Sequence, residues 1–212
     1  MKGVILISGR GSNMRSIVDG ATGLDVRAVI SNRPHAPGLE WAREKGIATH
    51  GVDHTQYGSR EAFDDAIAEV IDQHAPDLIL LAGFMRVFGP RFIGRYPRRI
   101  VNIHPSLLPA FPGLHTHRQA LAAGVKVHGA TVHVVTATLD NGPVIVQGAV
   151  PVLPGDTEET LADRVLHVEH RIYPQAVKWF VEGRIEFVDG EVVQVRGTGH
   201  PGEMLISPRN IE

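Results

Sequence analysis

The chain has 212 residues, 43% hydrophobic and 21% charged, ordinary values for a globular protein with one sizeable core, and no apolar run is long enough to span a membrane. Lys+Arg 21 against Asp+Glu 23 gives a formal net charge of -2, which argues against a general nucleic-acid binder and for small-molecule partners. With no cysteine, a disulfide framework and a thiolate metal centre are excluded, and a cytoplasmic location is the default expectation.

In chain order, Gly3–Ser8 is an apolar segment too short for a signal peptide and reads as the first strand. It runs into Gly9-Arg10-Gly11-Ser12-Asn13, where a helix begins near Ser12 or Asn13. Val26–Ile30 is the second strand, ended by Asn32-Arg33-Pro34; Leu39–Lys45 is a short helix and Ile47–Val52 a third strand. Over Ser59–His74, Phe63, Ile67, Val70 and Ile71 form one helical apolar stripe, broken by Pro76. Leu78–Ala82 is apolar at every position, as a strand covered on both faces of a parallel sheet should be. A helix over Phe88–Gly94 leads to the strand Ile100–Ile103, which Pro105 stops at His104.

A further helix spans His115–Ala123, and from here the alternation of strand and helix gives way to antiparallel pairing. Val127–Thr136 and Val144–Val150 flank Leu139-Asp140-Asn141-Gly142, a hairpin signal. Asp156-Thr157-Glu158-Glu159 resembles a capping box, Leu161, Val165, Val168 and Ile172 mark the helix face that follows, and Pro174 is expected to kink or restart that helix. Ile185–Val188 and Val192–Val195 form a last hairpin around Asp189-Gly190, and the stretch from Gly197 has no periodicity and reads as loosely held. The organisation expected is one α/β domain over residues 1–190 with a C-terminal extension over 191–212. Its sheet is Rossmann-like, open and mostly parallel, with helices on both faces and an antiparallel C-terminal part.

Two places carry chemistry. Asn102 and His104 stand at i and i+2 on one face of a strand end, where open α/β sheets put their sites, and Pro105, Pro109 and Pro112 stiffen the loop behind them. The glycine loop between strand and helix offers backbone N–H groups and a helix N-terminus, a natural seat for a monophosphate or else a plain βα turn. It is neither a dinucleotide fingerprint, since Met14 occupies the third glycine position, nor a Walker loop, since no Gly-Lys-Ser/Thr follows. His104, His115, His117, His128 and His133 raise a metal site as an alternative. His-x-His at a helix start points its rings apart, however, and no paired acid lies near in sequence, so no metal is expected.

The glycine loop, Asn102-Ile103-His104-Pro105-Ser106-Leu107-Leu108-Pro109, Pro112-Gly113-Leu114-His115-Thr116-His117 and Leu139-Asp140-Asn141-Gly142-Pro143 together resemble the phosphoribosylglycinamide formyltransferase family, in the family's order, over residues 3 to about 188. The resemblance implies transfer of a formyl group from 10-formyltetrahydrofolate to the amine of 5'-phosphoribosylglycinamide, in de novo purine synthesis, and it admits a homodimer. By the same likeness Asn102, His104 and Asp140 are catalytic, Gly11, Ser12, Asn13 and Glu169 hold the ribonucleotide, and His133 lies close to the substrate. Arg60, Met85, Arg86, Val87 and Phe88, with Asn102 and the run Thr136, Ala137, Thr138, Leu139 and Asp140, meet the folate. Each has a plainer reading: Glu169 a solvated helix residue, Met85–Phe88 a loop capping the core, Asp140 a turn aspartate. Formyl transfer asks for donors at a developing oxyanion and for a proton carrier, which Asn102 and His104 supply, with Asp140 as the negative charge beside a protonated His104. The amine itself attacks, so Ser106 is not expected to be a nucleophile. A formyltransferase acting on a sugar nucleotide or on tRNA, and a non-catalytic folate or nucleotide binder, are the alternative functions.

Overall fold

The computed structural model describes residues 1–188, 192–199 and 207, and the expected Asp189-Gly190 turn and most of the tail after Gly197 lie outside them. The strands are β1 (Lys2–Ile7), β2 (Asp25–Ser31), β3 (Ala48–Gly51), β4 (Leu78–Leu81), β5 (Ile100–His104), β6 (Val127–Val134), β7 (Val144–Pro151), β8 (Ile185–Val188) and β9 (Val192–Val195). The helices are α1 (Ser12–Asp19), α2 (Pro37–Glu44), α3 (Arg60–Gln73), α4 (Pro90–Arg95), α5 (Thr116–Ala122) and α6 (Glu158–Val181). Seven strands form one sheet in the order β3-β2-β1-β4-β5-β6-β7, while β8 and β9 pair separately. β1 to β5 pair in parallel, and β6 and β7 run antiparallel. The expected fold class is the observed one.

Alternation along the central strands builds two cores. Ile5, Ile7, Val29, Leu80 and Val101 face α1, α2, α5 and α6, whereas Val4, Leu6, Ile30, Ile79 and Ile100 face Phe63, Ile67 and Ile71 of α3 and Phe92 of α4. Each fully buried Ile, Leu or Phe contributes roughly 1.5–3 kcal/mol, so both faces of the sheet are firmly covered. Tyr173, fully buried on α6, sets its hydroxyl 2.9 Å from the Val101 carbonyl and 3.1 Å from that of Leu81. It ties α6 to β4 and β5 immediately beneath Asn102.

Four local expectations change. α2 and α4 each begin on a proline at the first helical turn, where the missing N–H costs nothing. The cap of α6 is made by Thr157 with Thr160, not with a glutamate: Thr160 N–H donates to Thr157 Oγ1 at 3.3 Å, and Thr157 N–H to Thr160 Oγ1 at 2.9 Å. Pro174 does not restart α6, which runs unbroken from Glu158 to Val181. A proline inside a helix costs about 3 kcal/mol, but here Ile172, Tyr173, Ala176 and Val177 bury on one side and the ring packs on Gly20, so tertiary contact overrides propensity. Finally, β6 and β7 do pair, but β6 ends at Val134, so residues 135–143 form a long connection in place of a tight Asn-Gly turn.

Candidate active site

The parallel order breaks between β5 and β6, and this seam collects the polar side chains. Asn102 on β5 pairs in register with His133 on β6, both near the carboxyl end of β5. Asn102 Nδ2 lies 3.2 Å from His133 Nε2, and His133 Nδ1 lies 3.1 Å from the Val134 carbonyl. These partners assign the proton to Nδ1 and leave Nε2 to accept from the Asn102 amide. Burial pushes the His133 imidazolium below its usual range, which agrees with a neutral acceptor. One N–H of Asn102 is thereby fixed, and the other remains free.

His104 closes β5. Its Nε2 donates to the Phe111 carbonyl at 3.0 Å, and its Nδ1 faces Asp140 Oδ2 at 3.5 Å, with both side chains more than nine-tenths buried. Asp140 reaches this place from the long β6–β7 connection with a left-handed φ of 48°, which aims its carboxylate inward. Its Oδ2 also accepts the Gly113 N–H at 2.8 Å, while Oδ1 stands 4.0 Å from His133 Nε2, beyond hydrogen-bond range. A proton on His104 Nδ1 would turn the Asp140 contact into a charge-assisted bond.

The prolines alone do not hold the loop over 105–115. Ser106, fully buried, donates from its hydroxyl to the Ala110 carbonyl at 2.6 Å. Thr131 Oγ1 donates to the Ser106 carbonyl at 2.7 Å and accepts from Leu108 N–H at 3.0 Å and from Gln147 Nε2 at 3.0 Å. Ser106 is thus occupied in structure. Thr131, Gln147 and the Phe111 carbonyl are site components that sequence reasoning missed; buried Thr131 on β6 carried a signal as a polar residue in an apolar strand, whereas Gln147, on an exposed position of β7, carried none.

Gly11 caps α1 with φ 70°, the left-handed conformation that favours glycine, and a Cβ there would also press on the tip of Met14 at 2.9 Å. Asn13 Nδ2 donates to Glu169 Oε2 at 2.6 Å, and Asn13 Oδ1 is buried without a partner. Glu169 is buried, not solvated, and burial lifts its carboxyl above the usual range, with the Asn13 bond opposing. The structure therefore brings Gly11, Ser12, Asn13 and Glu169 to one place from residues far apart in sequence.

The third group surrounds the loop after β4. Met85 and Val87 are 59% and 55% exposed, whereas Phe88 is buried in a stack with Phe84 and Phe92. Arg86 lies over the Phe63 ring and Arg60 flanks Gly89, so the loop and the start of α3 form one surface. Ser8 ties this surface to the glycine loop: its hydroxyl accepts Met85 N–H at 2.8 Å and donates to Asn32 Oδ1 at 2.6 Å. Thr136 donates to the Thr138 carbonyl, and Ala137, Thr138 and Leu139 are exposed on the way to Asp140. Of the remaining histidines, His128 is driven down to about 4 by burial and by neighbouring His117, and His117 is lowered by burial, with Glu158 opposing and His104 adding to it. Among the described residues, no three ligand-type side chains are grouped to hold a metal ion.

Comparison with known proteins agrees with this architecture. The sequence profile of the family described as Formyl transferase matches residues 1–177. The phosphoribosylglycinamide formyltransferase of Escherichia coli is 48% identical over 204 residues, covering 92% of this chain and 96% of that protein. The protein of the same name from Mycobacterium tuberculosis is 47% identical over 82% of each chain. The crystal structure of glycinamide ribonucleotide transformylase 1 from Symbiobacterium toebii superposes with a TM-score of 0.88 at 50% identity, covering 92% of this chain and 93% of that one. The chain belongs to the formyltransferase family.

Proposed function

We infer that this chain transfers the formyl group of 10-formyltetrahydrofolate to the primary amine of 5'-phosphoribosylglycinamide, giving the N-formyl product of de novo purine synthesis, and that it does so in the cytoplasm. The observation that carries the site assignment is the convergence of Asn102 and His104 from the end of β5 and Asp140 from a distant loop on one point at the β5–β6 seam. The glycine loop after β1 and the partly apolar loop after β4 stand on the β4 side of β5, tied to each other through Ser8.

The roles follow from the donors and acceptors available. Asn102, oriented by His133, points its free N–H at the oxygen on which acyl transfer builds negative charge; such a donor is worth roughly 2.7–4 kcal/mol of barrier. His104 presents Nε2–H, which in this structure rests on the Phe111 carbonyl, and moves a proton between the attacking amine and the departing nitrogen. Asp140 holds the ring from the Nδ1 side and balances the charge of the doubly protonated form. Gly11, Ser12 and Asn13 seat the phosphate through main-chain N–H groups, and Glu169 with the free Asn13 Oδ1 takes polar groups of the ribonucleotide. Arg60, Met85, Arg86, Val87, Phe88 and residues 136–140 receive the folate, with exposed Met85 and Val87 as apolar wall and Arg60 as cation for its carboxylates. The folate supplies the activated one-carbon unit, and no covalent enzyme nucleophile is required.

The test is a panel of amines against one fixed donor. Purified chain with 10-formyltetrahydrofolate should formylate 5'-phosphoribosylglycinamide and leave an amino-sugar nucleotide and aminoacyl-tRNA untouched. Turnover of either of those instead would overturn the substrate assignment, and binding of both ligands without any product would overturn the enzymatic reading.

A further inference from the structure

The buried stripe of α3 contains one residue that apolar packing does not explain. Asp64, 5% exposed, follows Phe63 and precedes Ile67 on the helix face that packs against the sheet. A carboxylate there carries a desolvation cost that a leucine would escape, and burial pushes its carboxyl above the usual range. Its Oδ2 accepts the N–H of Gly89 at 2.7 Å, while its Oδ1 is buried with no partner among the described residues. Gly89 is the N-cap of α4 and directly follows Met85-Arg86-Val87-Phe88. A Cβ built on Gly89 would stand 3.2 Å from Asp64 Oδ2 and 3.7 Å from Arg60 Nε, so the Arg60 guanidinium, one turn earlier on α3, flanks the same amide.

The loop has a second anchor of a different kind. Rings of Phe84, Phe88, Phe92 and Tyr96 follow one another at centroid distances of 5.2, 3.8 and 5.1 Å, and this column fixes the buried side of the segment. It does not fix how far Met85 and Val87 project, because rings can slide along one another at little cost. Directional bonds at its two ends do, Met85 N–H to Ser8 Oγ at 2.8 Å and Gly89 N–H to Asp64 Oδ2 at 2.7 Å, and the second closes the segment.

We propose that Asp64 is a positioning residue for the folate: by gripping the Gly89 amide beside Arg60, it sets the loop and the cation that meet the co-substrate. The proposal rests on the assignment of Arg60 and Met85–Phe88 to the folate subsite made above. Asp64 touches neither reacting group, so its loss should weaken folate use without slowing the chemical step.

The experiment compares Asp64→Ala, Asp64→Asn and Arg60→Met in steady-state assays with each substrate varied in turn. Asp64→Ala should raise KM for 10-formyltetrahydrofolate about tenfold, the scale of a lost charge-assisted hydrogen bond, with kcat within about twofold and KM for the ribonucleotide unchanged. Asp64→Asn retains an oxygen for the Gly89 amide and should restore most of that loss, a rescue that mere loosening of the fold would not give. Arg60→Met reports on the subsite itself. If it raises the folate KM while Asp64→Ala does not, the positioning role is wrong; if neither variant does, the subsite assignment has failed and the proposal with it. A rise in KM for both substrates in Asp64→Ala, unrelieved by Asn, would equally overturn the proposal. Should Asp64→Ala fail to fold, Asp64→Asn and Asp64→Ser decide between the same outcomes, since serine is too short to reach Gly89.

Discussion

At the carboxyl end of β1 the polar groups on offer are main-chain amides of residues 9–13 and the start of α1, whereas at the carboxyl end of β5 they are the side chains of Asn102, His104, His133 and Asp140. The first place depends on backbone shape, and most side-chain changes there leave its amides where they were. The second depends on side-chain identity held by register, since Asn102 faces His133 only because β5 and β6 pair as they do. On the function proposed above, the parallel half of the sheet would supply a seat for charge already present in a substrate, and the antiparallel seam groups for charge that appears during reaction.

The contrast is sharpest in kcat. His104→Ala should lower kcat by roughly 10²–10⁴ with both KM values little changed and far-UV circular dichroism intact. Asp140→Asn should fall short of that, and the double variant should be no slower than His104→Ala alone, because the two side chains act as one unit. Additive losses would separate them and break the picture of a shared seam.

Gly11→Ala tests the backbone side. Its left-handed φ of 70° strains the turn for any residue with a Cβ, and the methyl group would also displace Met14 Cε, so KM for the ribonucleotide should rise about tenfold with the folate KM unaffected. An equal rise in both would show that the two places are not separable.

The smallest effect concerns stability. Glu169 ionises from 4.5 upward in the unfolded chain but only at higher pH in the folded one, because burial holds its carboxyl above that value. Between the two values the folded chain binds more protons, so stability falls as pH rises through the interval and the ionised carboxylate is a net cost at neutral pH. Glu169→Gln should therefore raise Tm by a few degrees at pH 7, with the gain vanishing in acid, while KM for the ribonucleotide increases. A Tm gain that persists below pH 4 would point to packing in place of charge.

Much of this was legible in the sequence. The continuous apolar run Leu78–Ala82 announced a doubly covered strand, and Pro105 fixed where β5 stops, which put Asn102 and His104 on one face. Element identity followed from periodicity because both cores are built by strict alternation. What escaped was whatever depends on contacts between distant residues: the uninterrupted helix through Pro174, the long connection that delivers Asp140, the burial of Glu169, and Asp64 inside an apolar stripe. A lone acid among hydrophobic residues looks the same in sequence whether it turns to solvent or grips an amide of another element.

Ser8, just before the glycine turn, joins the loop after β1 to the loops after β4 and β2 through one oxygen, which accepts Met85 N–H at 2.8 Å and donates to Asn32 Oδ1 at 2.6 Å. A ligand that moved this oxygen from the side of either loop would be felt at the other, and thermodynamic linkage would then have each ligand alter its companion's affinity by the same factor.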